Sequence, residues 1–152
     1  MQMNMEKTFL MLKPSTVARN QIGSIVERIE KKGLKILAMK MTSVTQEKAA
    51  KLYAAHRGKP FYCELVAFIT SGPVVVMVVE ADEAVTVLRK LIGATNAKDA
   101  EPGTIRGDFA LSNQKNAIHA SDSVENAEIE MGIFFAPEEI LAYERADENW
   151  VY

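Results

Sequence analysis

The sequence is poor in cysteine and in long apolar runs, and each shortage excludes a class of protein. Its 152 residues include one cysteine, Cys63, so neither an intrachain disulfide nor a cysteine-based zinc cage can form. The longest apolar run, Val74 to Val79, is far too short to cross a bilayer. The apolar stretch from Phe9 to Leu12 is too short for the core of a signal peptide. We therefore expect a cytoplasmic protein with no membrane partner.

An excess of positive charge is also missing. The chain carries 18 Lys and Arg against 20 Asp and Glu, a formal net charge of −2, so we expect no nucleic-acid partner. With 48% hydrophobic and 25% charged residues and no linker or repeat, residues 1–152 are predicted to form a single domain. That length can bury a core without disulfides or metals.

The apolar patterns predict an α+β fold with few strands. Short apolar runs predict strands at 8–12, 34–41 and 74–79, and the last reads as buried on both faces. Apolar stripes predict helices at 22–32, 49–56, 61–69 and 84–92. Gly33 is predicted to end the first of these helices, and Asp82 to cap the start of the last. Asp122 or Ser123 is predicted to cap a further helix that follows them. Residues 94–114 show no period, and a loop of that length is usually functional. This pattern favours a small antiparallel or mixed sheet with helices on one face.

Several common catalytic motifs are missing as well. The sequence contains neither of the glycine-rich loops that cradle phosphates, nor the HExxH zinc motif, nor the GxSxG nucleophile elbow. Two histidines and one cysteine also argue against a zinc site built from protein ligands alone. The reaction classes that need these motifs are excluded.

His119 is the candidate nucleophile. It ends a short extended segment directly before a polar helix start, and helix N-termini hold anions. A neutral imidazole is nucleophilic without a strong base beside it, so this placement suggests phosphate chemistry. The alternative is that His119 only caps or fills the turn. The other histidine, His56, follows Tyr53 on a helical stripe and is interpreted as structural.

Three cations are candidate phosphate ligands. Lys13 ends a predicted strand, Arg89 lies on a helix and Arg106 lies within the long loop. Each could instead be an ordinary surface charge, although Arg106 is the least well explained in that way. Three cations around one nucleophile would suit phosphoryl transfer.

Six segments of the sequence resemble the nucleoside diphosphate kinase family. They occur in the family's order between about Glu6 and Tyr143, and the last two are highly specific together. The segments are TFLMLKP at 8–14, GKPF at 58–61, SGPV at 71–74, IGATN at 92–96, PGTIRGDF at 102–109 and NAIHASDS at 116–123.

The resemblance implies a fold and a reaction. The fold would be a ferredoxin-like βαββαβ sandwich, a four-stranded antiparallel sheet with helices packed on it. The γ-phosphate of a nucleoside triphosphate, with ATP as donor, would pass to His119 and then to a nucleoside diphosphate in ping-pong fashion. Mg²⁺ would be carried on the nucleotide phosphates. A homo-oligomer is implied, and the tail from Trp150 to Tyr152 favours a hexamer over a tetramer.

The resemblance also implies the site residues, position by position. Tyr53, Ser121 and Glu130 match residues that surround and orient His119. The implied nucleotide contacts are Lys13, Phe61, Arg89, Thr95, Arg106 and Asn116. No protein ligand for a metal is implied.

Five positions depart from the usual family pattern. Ser15 and Thr16 replace aspartate and glycine, and we expect Ser15 to accept a backbone N–H as aspartate would. Ala120 replaces a glycine and requires a negative φ. Asn113 replaces a valine near the base, and Ala97 replaces a proline in a loop that packs between subunits. The alternative function is a nucleotide-binding or scaffolding homologue that has lost turnover through such changes.

Overall fold

The structure is a computed structural model that describes residues 2–152, and its centre is one antiparallel sheet. The strands are β1 (Met5–Leu12), β2 (Lys35–Thr42), β3 (Val74–Asp82) and β4 (Ile118–Ala120). Their order across the sheet is β2-β3-β1-β4, and each neighbouring pair is antiparallel. This order confirms the predicted α+β class and the ferredoxin-like sandwich.

Eight α-helices connect and cover the strands within residues 2–152. They are α1 (Pro14–Ala18), α2 (Ile22–Lys32), α3 (Gln46–Leu52), α4 (Tyr62–Ile69), α5 (Ala84–Ile92), α6 (Ile105–Phe109), α7 (Val124–Phe134) and α8 (Glu148–Val151). Two 3₁₀ turns lie at Ala54–His56 and Pro137–Glu139. None of the helices in this described part of the chain combines the length and the apolar composition that a membrane crossing requires.

The core has two layers, one on each face of the sheet. Leu10 and Met77 point to the layer that contains residues of α2 and α5. Met11 and Val76 point to the opposite layer, which contains residues of α3 and α7. Successive side chains of a strand alternate between faces, so the central strands β1 and β3 are apolar on both. The prediction that β3 is buried on both faces is confirmed, whereas the prediction of helices on one face only is wrong.

Two helix ends follow the predicted local signals. Gly33 ends α2 with φ 107°, a left-handed conformation that favours glycine. The Ser123 hydroxyl accepts a hydrogen bond from the Asn126 amide at 3.1 Å, so Ser123, and not Asp122, caps α7.

Two other predictions are corrected by the structure. Asp82 does not cap α5, because it pairs with Met5 as the last residue of β3 and its carboxylate accepts from the Asn4 amide at 2.7 Å. The stretch 94–114 is not all loop, since it contains α6. The Thr104 hydroxyl caps that helix by accepting from the Gly107 amide at 3.0 Å. A five-residue helix is too short to show a period in the sequence.

Candidate active site

A cavity of about 480 Å³ lies where β4, the end of β1 and the helices α5 and α6 meet. The structure brings eight of the ten predicted site residues to its wall. They are Lys13, Tyr53, Phe61, Arg89, Thr95, Arg106, Asn116 and His119. The other two, Ser121 and Glu130, lie behind this wall, and both are buried.

His119 is held from behind by a carboxylate. It lies in β4 opposite Met11 of β1, and its Nε2 contacts Oε1 of Glu130, which projects from α7. In the neutral ring, a hydrogen bond to a carboxylate requires the proton on Nε2, which leaves the lone pair on Nδ1. Within residues 2–152, Nδ1 makes no hydrogen bond. Glu130 therefore orients the imidazole through Nε2, and Nδ1 is the ring nitrogen that is left for a ligand in the cavity.

Tyr53 and Ser121 lie close to this histidine. The Tyr53 ring meets the His119 ring edge-on, with 6.5 Å between centroids. Burial and the nearby Glu130 carboxylate raise the pKa of Tyr53, so its phenol stays protonated. The Ser121 amide donates to the Phe9 carbonyl at 3.1 Å, while the Ser121 hydroxyl has no partner within the described chain. The orienting roles of Tyr53 and Ser121 stay predictions.

Lys13 and Asn116 form a buried polar pair. The Lys13 ammonium donates to Oδ1 of Asn116 at 2.6 Å, and the Asn116 amide donates to the Thr95 carbonyl at 2.9 Å. Burial, followed by the charge of Arg106, lowers the pKa of Lys13 to about 8. Lys13 is thus a cation whose charge depends on pH near neutrality.

Arg106 joins three parts of the cavity wall. Its guanidinium donates to the carbonyls of Asn116 (3.2 Å), Gly93 (3.1 Å) and Ile118 (2.7 Å). Burial and the charge of Arg89 lower its pKa to about 10, so it remains a cation at neutral pH. Three of its five N–H groups are used by the protein, which leaves two for a ligand. With Lys13 and Arg89, it makes this end of the cavity suited to anions.

The other end of the cavity is aromatic. Phe61 is 47% exposed, so its ring is free to stack on a ligand. The His56 ring lies 5.3 Å from the Phe61 ring, and His56 Nδ1 lies 3.3 Å from Lys59 Nζ. The sequence predicted a structural role for His56 on a helical stripe, whereas the structure places it at the cavity. The reason is that a 3₁₀ turn follows α3 and redirects the side chain.

Sequence reasoning also missed some of the residues that line the cavity. Glu64, Leu65 and Gln114 line it beside the predicted Phe61. They lie on α4 and on the loop before β4, and no local pattern distinguishes them from other surface residues. Only the GKPF segment beside them carried a signal.

Comparisons with known proteins assign the chain to a family. A family model described as nucleoside diphosphate kinase matches residues 6–140. The chain belongs to the nucleoside diphosphate kinase family. It is 54% identical over 148 residues to a nucleoside diphosphate kinase of Archaeoglobus fulgidus, covering 97% of this chain and 98% of the relative. It is 62% identical over 135 residues to that of Metallosphaera sedula, covering 89% and 96%.

The fold comparison leads to the same family. A halophilic nucleoside diphosphate kinase from Halobacterium salinarum, solved in complex with CDP, superposes with a TM-score of 0.95. The sequences are 46% identical, and the match covers 98% of this chain and 99% of the other. The resemblance inferred from the six segments is confirmed. The chain is an enzyme of the phosphotransferase class that acts on nucleotides.

The structure accommodates two of the departures from the usual family sequence. Ala120 lies in β4 and does not have a positive φ, so the requirement for a negative φ at this alanine is met. Thr16 is 1% exposed and donates through Oγ1 to the Ala117 carbonyl at 2.7 Å.

The expectation for Ser15 is wrong. Its hydroxyl has no hydrogen-bond partner within residues 2–152. The amides of Thr16 and Val17 already bond to the Lys13 carbonyl, at 2.9 and 3.3 Å, so they are not free to donate to Ser15.

Proposed function

We propose that the chain transfers the γ-phosphate of a nucleoside triphosphate to a nucleoside diphosphate through a phosphohistidine at His119. The observation that carries this proposal is the contact between Glu130 and Nε2 of His119. It leaves the Nδ1 lone pair as the nucleophile in a cavity lined by three cations.

The transfer takes place in two steps, and each step forms one bond to phosphorus and breaks another. In the first, Nδ1 forms a bond to the γ-phosphorus while the bond to the bridging oxygen breaks, and the nucleoside diphosphate leaves with that electron pair. In the second, a terminal β-phosphate oxygen of another diphosphate attacks the same phosphorus and the N–P bond breaks. Glu130 keeps the Nε2 proton in place and stabilises the positive charge that develops on the ring.

The cations provide electrostatic stabilisation. Lys13, Arg89 and Arg106 would bind the phosphates and the charge that spreads over the transferred group. One carboxylate, Glu64, is among the lining residues, so we expect Mg²⁺ to enter on the nucleotide phosphates as part of the substrate. The base would stack on Phe61. Stacking accepts any base, so we expect broad base tolerance, with ATP as one donor.

Labelling without an acceptor tests the proposal. Protein mixed with γ-³²P-ATP and magnesium should take up acid-labile label and release it to any nucleoside diphosphate added afterwards. The chain has two histidines, so substituting each assigns the label. His119→Ala should abolish labelling, and His56→Ala should retain it.

Two outcomes would contradict this function. Label that persists in His119→Ala would reject His119 as the nucleophile. No label in the wild-type chain, with nucleotide still bound in a separate assay, would favour the nucleotide-binding or scaffolding alternative. The cytoplasmic location, the single domain and the homo-oligomer, hexamer over tetramer, stay predictions.

A further inference from the structure

We propose that Thr16 is a positioning residue that holds the strained backbone at Ala117 and so places Asn116 and His119 for phosphoryl transfer. The inference rests on the function proposed above. Thr16 does not line the cavity, so any effect on catalysis must pass through other residues.

Ala117 adopts a conformation that an alanine rarely takes. Its φ is +75°, and it is 2% exposed. The Ile118 amide donates to the Asn116 carbonyl at 2.9 Å, which closes a three-residue γ-turn around Ala117. This hand of γ-turn is uncommon and strained, so it persists only where surrounding contacts enforce it.

Two donors hold the carbonyl of Ala117. One is the backbone amide of Lys13 at 2.9 Å, and the other is the Thr16 hydroxyl at 2.7 Å. Within residues 2–152, the other side chains that form hydrogen bonds with this turn, Lys13 and Arg106, belong to the cavity wall, whereas Thr16 does not. Because that hydroxyl is buried, a lost bond would not be replaced by bulk water.

Ala117 lies between two functional side chains. Asn116, on one side, accepts from the Lys13 ammonium. His119, two residues after Ala117, is held at Nε2 by Glu130. Rotation of the Ala117 peptide would displace the Asn116 carboxamide and the start of β4 together. Phosphoryl transfer depends on in-line placement, and an error of about 1 Å can reduce rates by about 10²-fold.

The first test removes only the hydroxyl. Thr16→Val keeps the branched shape, and Thr16→Ser keeps the hydroxyl. We expect Thr16→Val to lower the single-turnover rate of His119 phosphorylation at saturating ATP by roughly tenfold or more. Thr16→Ser should restore most of that rate. KM should change less than kcat, because in-line attack by His119 tolerates a displacement less well than the contact of Asn116 with the nucleotide does.

Thr8→Val is the matched control. Thr8 lies in β1, is fully buried, and its hydroxyl has no partner within residues 2–152. Removing it deletes a buried threonine hydroxyl without breaking a hydrogen bond. We expect its phosphorylation rate to match that of the wild type.

The second test asks whether Thr16 acts through the turn. Glycine adopts positive φ without strain, so Ala117→Gly should need the Thr16 clamp less. In a double-mutant cycle, the loss caused by Thr16→Val should therefore be smaller in the Ala117→Gly background. Equal losses in both backgrounds would overturn the proposed route.

A readout without turnover separates this inference from the function on which it rests. Imidazole ¹⁵N shifts of His119 and hydrogen exchange of the Ile118 amide report on the turn in each variant. We expect both to change in Thr16→Val and to be restored in Thr16→Ser. If the wild type forms no phosphohistidine, the proposed function fails, and these NMR data still decide the role of Thr16. A Thr16→Val protein with a lower Tm but wild-type shifts, exchange and rate would overturn the inference.

Discussion

The Lys13 ammonium donates to the carboxamide oxygen of Asn116 at 2.6 Å, although 103 residues separate them. This bond links the end of β1 to the segment that enters β4. Burial removes the Lys13 ammonium from water and, together with the charge of Arg106, lowers its pKa to about 8. We therefore expect the affinity of the cavity for phosphate to depend on pH.

Nucleotide affinity should fall as pH rises through about 8. Above that pH Lys13 of the free protein loses its proton, and binding a phosphate must recover it. The dissociation constant for a nucleoside diphosphate should then rise by up to about tenfold per pH unit between pH 8 and 9.5. Calorimetric titration across this range measures the effect. Lys13→Arg keeps its charge and should show a flat profile, and an equally steep profile in that variant would refute the assignment.

The contribution of Lys13 to folding stability should increase over the same pH range in which nucleotide affinity falls. The unfolded chain keeps Lys13 protonated up to its ordinary pKa of 10.5, whereas the folded chain releases the proton near 8. Between these values the unfolded state binds more protons, so the contribution of Lys13 to the free energy of unfolding increases with pH. Urea unfolding of wild type and Lys13→Met at pH 7 and 9.5 measures it. The free energy of unfolding of the wild type, relative to that of Lys13→Met, should be larger at pH 9.5 than at pH 7.

Replacing Glu130 with glutamine should slow chemistry and spare binding. The amide keeps the shape of the carboxylate but lacks the charge that stabilises the developing cation on His119. The phosphorylation rate should fall roughly 10- to 100-fold. Glu130 does not line the cavity, so the nucleotide Kd should stay within about twofold of wild type. Rapid-quench labelling and calorimetry give the two numbers. An unchanged rate would remove Glu130 from the mechanism.

Arg106→Lys should damage both stability and catalysis. Lysine cannot reproduce the three carbonyl contacts that the guanidinium makes, and at least two of these carbonyls would lose a hydrogen bond. The free energy of unfolding should drop by about 2 kcal/mol or more, and the rate by about 10²–10³-fold. Arg89→Lys is the control for stability, because Arg89 is exposed and its one hydrogen bond within residues 2–152 is a long one, at 3.4 Å to the Ala120 carbonyl. Equal destabilisation by the two changes would contradict the structural role of Arg106.

Local signals in the sequence predicted the features that depend on neighbouring residues. Gly33 and Ser123 end and begin helices through contacts within a few residues, and both were predictable. Asp82 satisfies the same local rule for a cap, but its pairing with Met5 of a distant strand overrides it. Four of the eight cavity residues, His119 and the three cations, were candidates from the sequence itself. The other four came from the family resemblance, because no periodicity indicates that Lys13 and Asn116 meet.

The tertiary details of the site had no such signal. The bond from Thr16 to the Ala117 carbonyl spans 101 residues, and alanine is a poor indicator of positive φ. The placement of His56 depends on a three-residue 3₁₀ turn that interrupts the helical period. Such features depend on how distant segments pack, which a pattern of neighbouring residues does not encode.

Gly107→Ala should destabilise the segment that carries Arg106. A methyl group built at Gly107 would lie 2.0 Å from the Glu101 carbonyl oxygen and 2.8 Å from the Thr104 hydroxyl, so the backbone must shift. The free energy of unfolding should fall by about 2–3 kcal/mol. Gly132→Ala is the matched control, because Gly132 lies in α7 with nothing within 4 Å of an added methyl, and alanine there should stabilise the helix by up to about 1 kcal/mol. Urea denaturation of both variants decides the matter. A Gly107→Ala protein as stable as wild type would mean that this segment yields more easily than its contacts indicate.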